Sequence, residues 1–129
     1  MILGGKMSAK RSFTGVEKKL VPDFRNRMNN AENIVEVSNH FAYITSKLLL
    51  EIFEGDDINI SQNDVKFDPD EKCHHIVSDN LMNNDDFKKV WEDSDLPDII
   101  TRFAKSAHKH YKHLAKHEEK TEKKIRNHK

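Results

Sequence analysis

Seven basic side chains recur at spacings of three and four residues near the end of the chain: Arg102, Lys105, Lys109, Lys112, Lys116, Lys120 and Lys123. On an α-helix that spacing brings them to one face. The chemistry open to such a row is contact with a polyanion, either a phosphate backbone gripped without reading its bases or an acidic protein surface. No aromatic is interleaved in the row, so stacking on unpaired bases is not expected. No RNP, KH, Cys2His2 or helix-turn-helix signature accompanies it. Within one helix, Lys105–Lys109, Lys112–Lys116 and Lys116–Lys120 are like-charge pairs at i,i+4. Glu119–Lys123 and Glu122–Arg126 offset part of a self-repulsion of roughly 1 kcal/mol. A solvated face and a polyanion-binding face both fit this pattern.

Histidines offer a second chemistry. His110, His113 and His117 fall on the seam between the basic row and an apolar stripe of Ile100, Phe103, Ala107, Tyr111, Leu114 and Ile125. His113 and His117, four residues apart, can reach one divalent metal together. His110 stands about 10 Å from His117 along the axis, so the three cannot share an ion. The surrounding lysines oppose a cation, and no H-E-x-x-H is present. Cys73-His74-His75 diverge by about 100° per residue on a helix, which is poor ligand geometry. Glu71 and His74 have the Glu-x-x-His spacing of carboxylate-bridged metal bundles, but the chain holds only one copy. No cofactor is therefore expected, with a divalent metal at His113 and His117 as the single metal reading.

A third candidate is the group Phe87, Val90 and Trp91, bordered by Asp85, Asp86, Glu92 and Asp93. Aromatic residues inside a polar rim suit a protein-partner anchor; the same residues would also serve to close a helical core. Catalytic signatures are missing. The four glycines, Gly4, Gly5, Gly15 and Gly55, lie outside the helix interiors, which leaves no P-loop, dinucleotide fingerprint or nucleophile elbow. No small-molecule substrate is evident.

The elements that would carry these groups are helical. Thr14-Gly15-Val16-Glu17 has the form of a capping box, and Pro22 suits a first helical position. From Pro22 to Glu54 no glycine or further proline intervenes, so one long helix is expected. Its apolar set widens after Ile34, which makes residues 34–53 the central element. Gly55 suits a left-handed C-terminal cap. Ile58-Asn59-Ile60 and Val65-Lys66-Phe67 flank a polar tetrapeptide, compatible with a minimal hairpin or an extended loop. Asp68-Pro69 predicts a helix running to about Met82, with Cys73, Ile76, Val77 and Leu81 inward. Asn83-Asn84-Asp85 starts a short helix, and Asp95-Leu96-Pro97 opens the last one, about 46 Å long.

The expected fold is thus all-α: a small bundle of two long and two short helices, with a long basic C-terminal helix. Residues 1–12 are expected to be a flexible arm and residues 13–129 a single domain, extended from about residue 97. No stretch approaches the roughly 20 apolar residues of a membrane span, and the single Cys73 suits a reducing cytoplasm.

Net charge is zero, yet it is partitioned. Residues 1–30 carry seven Lys/Arg against two acids, residues 31–101 five against seventeen, and residues 102–129 ten against three. Basic ends on an acidic middle point to an anionic partner or to neutralisation between copies. The function expected is a non-enzymatic interaction or assembly protein that binds another protein or itself. The alternative is sequence-tolerant nucleic-acid binding through the basic row.

Overall fold

The computed structural model describes residues 11–127, with the side chains of residues 11–116. Among them are five helices and one small antiparallel sheet: α1 Thr14–Asn29, α2 Ile34–Ile52, β1 Val65–Phe67, β2 His75–Val77, α3 Asp79–Met82, α4 Asp85–Asp93 and α5 Leu96–Asn127. The molecule is mostly helical, as expected, with a two-stranded hairpin added. None of the described helices is long and apolar enough to cross a membrane.

The long helix expected from Pro22 to Glu54 is two helices. Asn29 ends α1, and Asn33 restarts the chain by accepting the Glu36 backbone N–H at 3.0 Å. Glu36 accepts the N–H of Glu32, the residue before the cap, at 2.7 Å, which ties the connecting turn to the start of α2. Asn29, Asn30 and Asn33 explain the break, because their side chains compete for backbone groups and favour caps over helix interiors. The chain then doubles back. Lys19 meets Glu51 at 2.9 Å, and the Arg27 guanidinium lies 4.1 Å from the centre of the Tyr43 ring, which makes α1 and α2 an antiparallel pair.

Pro22 lies inside α1 rather than at its start, and the proposed capping box is absent. Phe13 holds the N-cap position without a side-chain bond. Asp95 does that work from the far side of the fold: Oδ1 accepts the Phe13 N–H at 2.8 Å and Oδ2 accepts the Ser12 hydroxyl at 2.7 Å. Arg11 donates its N–H to the Asp93 carbonyl at 2.9 Å. Residues 11 and 12 of the expected flexible arm are therefore held by the domain, and residues 1–10 lie outside the described residues.

Gly55 takes a left-handed conformation, at φ +88°, but in the Phe53–Asp56 turn that follows α2 rather than as its cap, which is Phe53. Val65–Phe67 is a strand, but its partner is His75–Val77 and not Ile58–Ile60. The register pairs Val65 with Val77, Lys66 with Ile76 and Phe67 with His75. Buried Asp64 sets that register, accepting the Ser61 N–H at 2.8 Å and the Ser78 hydroxyl at 2.7 Å. The helix expected from Pro69 shrinks to the single turn Asp79–Met82, capped by Ser78. Cys73 and Ile76 are exposed, whereas Leu81 points inward as expected. The Asp68 side chain accepts the Asp70 N–H, and that local turn replaces the helical start.

The core lies where α2 crosses α5. Phe41, Ile44, Leu48 and Leu49 of α2 are fully buried with Ile99, Ile100, Ala104 and Ala107 of α5. Phe24 and Met28 of α1 close one side, and Phe24 meets Phe103 edge to face at 4.8 Å. Phe67 of β1 closes the other beside Phe41 and Tyr111.

Candidate functional site

The seven-residue basic row divides according to what each residue touches. Arg102 belongs to the fold. Its Nε and Nη2 each donate to a Glu17 carboxylate oxygen at 2.7 Å, a bidentate bridge from α5 to α1. Glu17 keeps only 14% of its side-chain exposure there, against 51% for Arg102. The hydrogen bonds to Glu17 hold the guanidinium proton more firmly than usual, with burial opposing and the charges of Glu17, Asp95 and Asp98 adding to the effect.

Lys105, Lys109, Lys112 and Lys116 are exposed, and none makes an ion pair among the described residues. They form the outward face of α5. No Asp or Glu occurs between Asp98 and Glu118, so nothing within this stretch of helix neutralises them. Lys120 and Lys123 lie on the same helix, with side chains outside the described residues.

The opposite face of α5 packs as the apolar spacing requires. Ile99, Ile100, Phe103, Ala104 and Ala107 are buried, and Tyr111 and Leu114 are partly buried against the core. Leu114 is the last described side chain of α5 packed on that core. The helical backbone continues to Asn127, about 20 Å further along the axis.

Of the seam histidines, His113 is exposed, and the His117 side chain lies outside the described residues. His110 is half-buried and sits below the ordinary histidine range, because burial and then the nearby His113 disfavour its proton. Among the described residues no group of three or more His, Cys, Asp or Glu is arranged to hold a metal ion.

In the proposed partner anchor, Phe87 and Val90 point into the core. Phe87 packs against Phe53 at 5.5 Å and against Trp91 at 5.5 Å. Trp91 alone keeps part of its surface outside. The amphipathic spacing of α4 turns Phe87 and Val90 toward the core.

One grouping was invisible in the sequence. His74 and His108, thirty-four positions apart, stack with ring centroids 3.8 Å apart and planes 4° from parallel. Phe67 and Tyr111 lie beside His108. Only the hairpin between β1 and β2 brings His74 onto α5, and a helix at residues 69–82 would have placed it elsewhere.

Against protein-family models, curated proteins and solved structures, the chain has no significant match.

Proposed function

We propose that this is a non-enzymatic interaction protein whose working surface is the outward face of α5, and that its partner presents an acidic surface. The observation that carries this reading is the row Lys105, Lys109, Lys112 and Lys116: exposed, unpaired among the described residues and on a stretch of helix without acid of its own. Like charges one turn apart repel, so the row stands at higher energy alone than beside an anion. A second copy of the chain is one such partner. Residues 31–101 carry seventeen acids against five Lys/Arg, complementary to the row.

Light scattering over a wide concentration range, at about 50 and 200 mM salt, tests self-association. A mass that rises with concentration at low salt and returns to 15.1 kDa at high salt supports it. A mass constant at 15.1 kDa throughout counts against the second copy. The triple variant Lys109→Glu, Lys112→Glu, Lys116→Glu should abolish the association while leaving the helical signal intact.

The uninterrupted absence of acid from residue 99 to residue 117 favours a second reading, duplex nucleic acid held through its phosphates. Fluorescence anisotropy with labelled mixed-sequence duplex and single strands separates the two. Duplex binding with a steep salt slope, lost in the triple variant, supports phosphate contact. An absence of binding at the lowest salt leaves the acidic protein surface.

A further inference from the structure

Strain, ring stacking and an unpartnered polar atom coincide at His74. It is the only non-glycine among the described residues with positive φ, at 64°. Such a conformation costs free energy and persists only where surrounding contacts hold it. Its Nδ1 is the one buried side-chain polar atom among the described residues without a hydrogen-bond partner. Its ring lies flat on His108 of α5.

His74 ends the loop that joins β1 to β2. That loop is closed by three backbone bonds: Asp68 N–H to the His74 carbonyl at 2.9 Å, Glu71 N–H to the Asp68 carbonyl at 3.2 Å, and His74 N–H to the Glu71 carbonyl at 3.0 Å. The strands behind it are three residues each, too short to hold a loop by pairing alone.

We propose that residues 68–74 form a strap on α5, latched by the stack of His74 on a neutral His108 and released when His108 takes up a proton. In a neutral ring with its hydrogen on Nε2, the His74 Nδ1 is a bare acceptor. Protonation of His108 puts a cation one helical turn from both Lys105 and Lys112 and face to face with the other ring. Burial, His74 and then Lys112 all press the His108 proton off in the closed form.

Among the described residues neither ring has an ion-pair partner. Asp68, Asp70 and Glu71 of the strap form no ion pair with either ring among the described residues, and Asp68 Oδ1 is already occupied by the Asp70 N–H. Lys112 of α5 disfavours a proton on His108, and Lys72, His75 and Lys105 bring no negative charge. From β1 comes Lys66. From α2, Ser38, Asn39 and Ala42 line the shallow cavity beside Lys66 and Phe67 and bring no acid. Release also lets His74 leave its left-handed conformation. This inference does not depend on what α5 binds.

The test is amide hydrogen exchange on the full chain at about pH 7.5 and pH 5.0, corrected for intrinsic rates. The Asp68 and His74 amides should open about tenfold or more at the lower pH, as uptake of an extra proton allows. Amides of α2 from Phe41 to Thr45 should accelerate less than those of the strap. His108→Phe keeps a flat ring without a titrating group, and its strap should show no pH step. His74→Asn tolerates a positive φ and removes the ring stacked on His108, so it should also lose the step. The proposal is overturned by exchange that does not change with pH in the natural chain, by an unchanged step in either variant, or by α2 amides accelerating as much as those of the strap.

Discussion

Removing the guanidinium in Arg102→Ala should weaken the fold and spare polyanion binding. The bridge to Glu17 is bidentate with both contacts at 2.7 Å, but the Arg102 side chain is about half exposed at 51%. Exposed ion pairs contribute roughly 0.2–1 kcal/mol, and good bidentate geometry puts this one at the upper end, about 1 kcal/mol after solvent screening. Glu17 retains only 14% of its exposure, so truncating its partner adds a partial desolvation cost and brings the loss to about 1–2 kcal/mol. For a domain of this size, 1 kcal/mol corresponds to about 4 °C in Tm. The assay is urea and thermal denaturation followed by circular dichroism on Arg102→Ala, Glu17→Gln and the double variant. The double-mutant cycle should return a coupling near 1 kcal/mol. Lys109→Ala and Lys112→Ala, which have no ion-pair partner among the described residues, should leave stability unchanged or raise it by a few tenths of a kcal/mol. A coupling of zero, or equal destabilisation by the arginine and lysine variants, would refute the division of the basic row into one structural and four outward residues.

Asn33→Ala removes the cap that separates α1 from α2 and should cost about 1 kcal/mol, read as a lower urea midpoint with unchanged slope. Asp64→Ala strands the Ser61 N–H and the Ser78 hydroxyl together, so a loss of about 2–3 kcal/mol is expected, with hairpin amides exchanging faster than those of α2. Stability should also fall in mild acid. His75, His108 and His110 are all held below the ordinary histidine value, chiefly by burial. Their protons are therefore taken up first by the unfolded chain. The contribution is fully present above about pH 6.5 and declines as pH drops below it, by at most about 1.4 kcal/mol per pH unit for each displaced proton. A urea midpoint constant from pH 7.5 to 5.0 would contradict that assignment.

Much of the helical framework was legible because its signals are local. The cap at Asn84, the start near Leu96, the left-handed Gly55 and the apolar stripe from Ile100 to Leu114 each depend on residues within a few positions of one another. The break between α1 and α2 had a local signal too, in Asn33 and Glu36, but the apolar spacing runs through it without interruption. At residues 68–82 local signals misled. Asp68-Pro69 resembles a helix start, whereas burial of Val65 and Phe67 against α2 and α5 draws the chain into a hairpin.

By itself the sequence determined that the chain is mostly helical, that α5 has one apolar and one basic face, and that charge is segregated along its length. Periodicity and composition suffice for those statements. Tertiary structure alone decided that Arg102 is bound to Glu17, that Phe87 and Val90 face inward, and that His74 rests on His108. Each of those contacts joins residues or surfaces whose meeting depends on how the chain reverses at Asn33 and turns at Asp68. A helical period specifies the direction of a side chain on its own element, but not the partner that another element brings to it.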